Sequence, residues 1–232
     1  MSVNDLVLVQ GMHDTKLALS RWNENPFAVL RPWAVLSTVI SVGLLMAVYL
    51  IAELTPPDAT RYVIPGVTQE ATLTDYGHVL FRNSLVLALH ALACAAGFMA
   101  GSSLPLSAAH RTGLSRWVHE KAGPLAIAFV ACATLFSLAT QAFVIGGTAA
   151  SLATQLGSSP GHLMLAIVPH ALPELIALFL PLAAWMIASR NDDWHELLAA
   201  TFVTLAISVP MLIVSALVEV YVTPHLLLQL SG

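Results

Sequence analysis

At 232 residues, 57% of them apolar and only 9% charged, the chain is far from the composition of a soluble domain, where about a quarter of residues are charged. This composition excludes a sizeable water-soluble module and points to a polytopic membrane protein. The net charge of −4 is thinly spread and argues against a nucleic-acid partner.

Residues 1–33 form a mixed N-terminal arm. Lys16, Arg21 and Arg31 alternate there with Leu17, Leu19, Trp22, Phe27 and Trp33. Basic residues beside tryptophan suit a membrane surface, so a short interfacial helix on the cytoplasmic side is one reading. A solvated arm is the other. No cleaved signal peptide is expected, because the first apolar run starts after residue 33 and is too long for an h-region.

A membrane domain over 34–228 follows. Five runs approach the roughly 20 residues that cross the hydrocarbon core: about 34–54, 79–101, 124–146, 162–188 and 197–222. The fold class is therefore all-α, a five-span transmembrane bundle. Ala93, Gly97 and Gly101 in the second run are spaced for close helix approach. Packing inside the bundle is the expected use, a homodimer seam the alternative. Cys94 and Cys132 lie mid-run among apolar neighbours and read as small buried residues. In the fourth run Pro169 and Pro173 remove two backbone donors within one turn, which predicts a kink or a broken helix.

Orientation follows from the basic residues. Lys16, Arg21, Arg31, Arg111, Arg116, Lys121 and Arg190 fall on one side, seven of the nine. Arg61 and Arg82 fall on the other, and the loop at 147–161 has no charge. This places the N-terminus inside and the C-terminus outside. The inner loop 102–123, with Trp117 among its basic residues, is expected to touch anionic headgroups.

That topology gathers the ionisable residues of the spans in the outer half of the membrane. Glu53 ends the first span. Arg82 and Asn83 open the second, with His90 two turns deeper. His170 and Glu174 sit one turn apart in the fourth, in Pro169-His170-Ala171-Leu172-Pro173-Glu174. Glu219 and Tyr221 lie near the end of the fifth, with His225 in the tail beyond. Glu53 and Arg82 also fit as border charges facing water, His90 as a donor to a backbone carbonyl, and His225 as a solvated residue. Glu174 and Glu219 have apolar neighbours on both sides, and an unpaired carboxylate there is costly. Three readings stand: a structural ion-pair network, a metal or proton site, and a substrate site. If Glu174 pairs with a cation across helices, its loss should cost about 3–5 kcal/mol. As a metal site, His170, Glu174 and Glu219 would supply three zinc ligands with one position open. Asn83 or His90 would then orient them from behind. Glu174 and His170 are the candidate catalytic groups; Asn83, His90, Arg82 and Tyr221 complete the polar cluster.

Phe81-x-Asn83 opening one span, Pro169-His170-x3-Glu174 in a later one, and Glu219 in Val218-Glu219-Val220-Tyr221-Val222-Thr223-Pro224 together resemble the stage II sporulation protein M family. Ala171 stands where that family usually has glycine. The resemblance implies a multi-pass protein of the bacterial inner membrane, with Asn83, His170, Glu174 and Glu219 as the family's polar motif. It also implies membrane or envelope protein partners, since the namesake works in a complex with cell-wall-degrading proteins. No enzyme activity is implied. Three functions compete: a membrane component of an envelope or cell-wall remodelling assembly, a zinc-dependent intramembrane hydrolase, and a small cation- or proton-coupled transporter subunit.

Overall fold

The computed structural model describes residues 7–99, 101 and 112–230. No strand forms among them. The helices are α1 (Val7–Glu24), α2 (Pro26–Leu54), α3 (Leu73–Phe98), α4 (Gly113–Gln155), α5 (Pro160–Asn191), α6 (Leu197–Leu217) and α7 (Thr223–Leu230). A 3-10 turn (Trp194–Glu196) precedes α6, and a π-helical segment (Val218–Val222) joins α6 to α7. Five stretches are long and apolar enough to cross a membrane: Pro26–Leu54, Leu73–Phe98, Ala128–Gln155, Pro160–Asn191 and Trp194–Gln229. The chain is an all-α, multi-pass membrane protein, as its hydropathy predicts. Large side chains that face outward, such as Phe129, Phe136 and Phe143, suit hydrocarbon rather than water.

The helix ends follow from local chemistry. Asn25 separates α1 from α2; its Oδ1 accepts the N–H of Ala28 at 3.3 Å, and Pro26 takes the first helical position, where a missing N–H costs nothing. Thr72 and Asp75 cap α3 reciprocally, with Asp75 Oδ2 accepting the Thr72 N–H at 2.8 Å and Thr72 Oγ1 accepting the Asp75 N–H at 3.3 Å. At the end of α4, Gly157 has a φ of +66°. The Ser158 N–H reaches Ala153 O at 2.9 Å and the Gly157 N–H reaches Thr154 O at 3.0 Å, the paired bonds of a Schellman stop. Within the spans, Thr140, Thr148, Thr154, Thr201 and Thr204 turn their hydroxyls back onto carbonyls four residues earlier. That satisfies them where water is absent.

Three expectations need correction. The third span does not stop at 146: α4 runs on to Gln155, so most of the supposed loop 147–161 is helical. Gly146, at the expected end of the span, serves a helix contact. A Cβ there would lie 2.7 Å from Ile51 Cβ, so the glycine lets α2 and α4 touch. Likewise the inner loop is helical from Gly113; its residues 102–111 and the side chain of Trp117 lie outside the described residues. Second, of the kink or break expected at Pro169 and Pro173, the break does not occur: α5 runs through both. Third, helix continues past 222 to Leu230, which makes His225 an exposed helical residue rather than part of a tail.

The chain divides into two compact units. One comprises 1–37, 87–134 and 178–208; the other comprises 38–86, 135–177 and 209–232. In the first, Trp33, Leu180, Ala184 and Ala200 form a core joined by Trp22, whose ring meets Trp33 edge-on at 5.4 Å. Arg21 of α1 pairs with Glu196 of the 3-10 turn. Gly97 and Gly101 are filled from within the chain, since a Cβ would strike Trp185 at the one and Trp194 at the other. Cys94 is buried, its thiol donating to Pro181 O at 3.2 Å, whereas Cys132 is exposed, against expectation. It shares an outward-facing stretch of α4 with Phe129 and Phe136.

In the second unit, Ala52, Ala149, Ala150, Ala153, Leu163, Ala166 and Leu227 form the core. Small side chains from α2, α4 and α5 let these helices approach closely. The connection between α2 and α3 docks on α4 through two side chains one turn apart. Ser151 Oγ accepts the Asp58 N–H at 3.0 Å. Gln155 accepts the Tyr62 N–H and donates to the Tyr62 carbonyl, both at 2.8 Å, an amide standing in for a strand partner. Within the connection, the backbone and side chain of Thr60 hydrogen-bond the Asp58 carboxylate and hold it below the usual carboxylate range.

Candidate polar site in the membrane spans

Glu174 is the centre of the site. It projects from α5, and its Oε2 is buried without a hydrogen-bond partner. Asn83 of α3 and Glu219 of the π segment lie within hydrogen-bonding reach of its carboxyl group, and the charge of Arg82 acts on both glutamates. Arg82 closes no ion pair with either among the described residues. The four residues thus meet in one unit, from three elements distant in sequence, as the topology predicts.

The π segment that carries Glu219 has an identifiable cause. Pro224 lacks an N–H, and its ring excludes the normal approach of the carbonyl four residues back. The helix absorbs this by widening: the Thr223 N–H donates to Val218 O, five residues earlier. Such a bulge inserts one residue and turns the following side chains onto a new face. Bulges of this kind are frequent at functional sites.

Thr223, at the end of the bulge, meets His170. The His170 Nδ1 and Thr223 Oγ1 lie 2.7 Å apart, both residues buried. Beside them opens a cavity of about 350 Å3. Its polar lining is Asp75, His78, Arg82, His170, Glu219 and Thr223, and its apolar walls include Ile64, Leu152, Ile167 and Leu227. One edge is closed by the turn at Pro65-Gly66. Gly66 has a φ of +79°, and a Cβ there would fall 2.6 Å from Pro224 Cγ. Only glycine allows both that backbone and that approach.

Not every expected member is here. His90 belongs to the other unit, where its Nδ1 donates to Leu178 O at 2.7 Å. A carbonyl can only accept, so that nitrogen carries the proton; the plain reading of His90 holds. Tyr221 is exposed and does not line the cavity. Glu53 is exposed at the end of α2. Conversely, sequence reasoning does not single out Asp75, His78 or Thr223. The capping pattern Thr72-x-x-Asp75 and the position of Thr223 before Pro224 are the signals that could have found two of them.

The described residues whose ligand atoms gather within 4.8 Å of one another are Asp193, His195 and Glu196 at the turn before α6. The ligand atoms of His170, Glu174 and Glu219 do not all lie that close to one another, and His170 Nδ1 meets Thr223, which leaves Nε2 as the ring nitrogen open to a further partner.

Residues 122–224 match the model of the family Stage II sporulation protein M. The matched region contains His170, Glu174, Glu219 and the bulge before Pro224, but stops short of Arg82 and Asn83. The resemblance seen in the motifs is thereby supported over the second half of the chain. No curated protein and no solved structure matches the chain. With its five apolar spans, the protein is an integral membrane protein whose residues 122–224 are similar to that family.

Proposed function

We propose that the protein is a membrane component of an envelope or cell-wall remodelling assembly in a bacterial inner membrane, and that the cavity beside Glu174 is its working site. The observation that carries this reading is the family match over 122–224, which spans three of the polar residues around the cavity. Function resides in such a site rather than in the helical bundle around it. Deleting the gene in its own host is expected to alter cell-wall composition and osmotic resistance, restored by the wild-type chain and not by a Glu174→Ala chain. Unchanged wall composition in the deletion strain overturns the proposal.

The proposed orientation has the N-terminus inside, supported by Lys16, Arg21, Arg31, Arg190 and the basic residues near the start of α4. In a Cys132→Ser background, cysteines replacing Glu70 and Ser159, both exposed between helices, should react with an impermeant thiol reagent added outside intact cells. A cysteine replacing Leu114, exposed near the start of α4, should react only after lysis. The reverse pattern inverts the topology.

A further inference from the structure

The cavity at the bulge contains opposite charges that face the same space without meeting. Arg82 from α3 and Glu219 from the π segment both line it. The charge of Arg82 reaches Glu219, yet no ion pair closes between them among the described residues. Asp75 also lines the cavity with its charge, but its carboxylate is held by Thr72 at the start of α3, and no ion pair closes between it and Arg82 among the described residues. Glu174 stands behind Glu219 with a buried carboxyl oxygen that has no partner.

This arrangement discriminates among ligands by charge. A simple anion drawn to Arg82 would meet two glutamates. A simple cation drawn to the glutamates would meet the guanidinium. A molecule bearing one charge of each sign satisfies both ends, because complementary charges attract and juxtaposed like charges repel. The guanidinium fork matches a carboxylate in bidentate fashion. Between the charged groups the walls are apolar, from Leu152, Ile167 and Leu227. A volume of about 350 Å3 lies at the small end of ligand pockets, roughly 300–1,000 Å3, and suits one residue rather than a folded partner.

We propose that this cavity binds a free α-amino-acid zwitterion with an aliphatic side chain. Its carboxylate sits on Arg82, its ammonium on Glu219 with Glu174 behind, and its side chain against Ile167 and Leu227. The inference rests on reading this cavity as the working site, and it names the ligand class that site takes.

The test uses the full-length protein in nanodiscs and isothermal titration with three probes that share one carbon skeleton. Leucine carries both charges, 4-methylpentanoate only the acid, and 3-methylbutylamine only the amine. Leucine is expected to bind about tenfold or more tightly than either half. Arg82→Gln should weaken leucine about tenfold while leaving 3-methylbutylamine no weaker, and Arg82→Lys should restore part of the loss. Equal binding of leucine and either half, or no heat with leucine, overturns the proposal. The comparison of probes on the wild-type chain stands even if a variant fails to fold. A leucine-terminated tripeptide carries only one of the two charges on its terminal residue and should bind about tenfold more weakly than free leucine; binding as tight as that of leucine overturns the proposal. If the cavity binds no zwitterion while the deletion strain still has an altered wall, the ligand class falls and the envelope reading survives.

Discussion

Replacing Glu174 by glutamine is expected to make the protein more stable, by about 1–3 kcal/mol, read as a rise in thermal midpoint in detergent. The change keeps the shape and removes a carboxyl that lies within reach of another, Glu219, in a membrane span. It also supplies an amide donor beside the Glu219 carboxylate, where Glu174 Oε2 now has no partner. A paired glutamate would behave oppositely: breaking a buried ion pair costs about 3–5 kcal/mol, the loss expected of a Glu174 that met a cation across helices. Arg82 is near but does not close that pair. A fall in the midpoint of this size on Glu174→Gln would show that Arg82 holds Glu174 after all. Stability gained with a loss of activity is the usual mark of a site kept for function, so the stabilised variant should fail to restore the wall of a deletion strain.

Gly66→Ala should destabilise by about 2–4 kcal/mol, and Gly77→Ala should stabilise by about 0.5–1 kcal/mol. Both glycines lie before or within α3 in the same unit, so the pair isolates the cause. At Gly66 the backbone is left-handed and a new Cβ would fall 2.6–2.7 Å from the Pro224 ring. At Gly77, inside α3, nothing lies within 4 Å, and alanine simply removes backbone freedom from the unfolded chain. Because Gly66 seats the connection on the proline that shapes the bulge, Gly66→Ala should also speed proteolysis between residues 55 and 72. Equal effects of the two substitutions would detach the turn from the bulge.

The spans are legible in the sequence because a bilayer demands long uncharged runs, and little else produces them. The meeting of Asn83, Arg82, Glu174 and Glu219 is legible too, since strict up-and-down threading sends alternate helix ends to the same side. Fine structure is less so. The π segment leaves no periodicity over five residues, and its cause, Pro224, reads in sequence as the end of a helix. Gly146 and Gly147 look like a turn, yet Gly146 marks a contact with Ile51, and only the partner reveals the difference. Ser151 and Gln155 look like ordinary polar residues after a span; their role is set by a chain segment far away. His170 lies at the cavity as its spacing from Glu174 suggests, but its bond to Thr223 depends on the bulge and has no signature in the sequence.

The docking of the α2–α3 connection on α4 has a consequence for how the protein is made. Asp58 and Tyr62 find their partners, Ser151 and Gln155, 93 residues later in the chain. At synthesis rates of about 5–20 residues per second, that partner emerges roughly 5–20 s after the segment that needs it. The first span is complete before that interval and the second is made within it, while the backbone groups of the connection rely on water. The turn at Gly66 that edges the cavity packs on Pro224, which emerges later still, so the cavity is complete only once nearly the whole chain has been inserted.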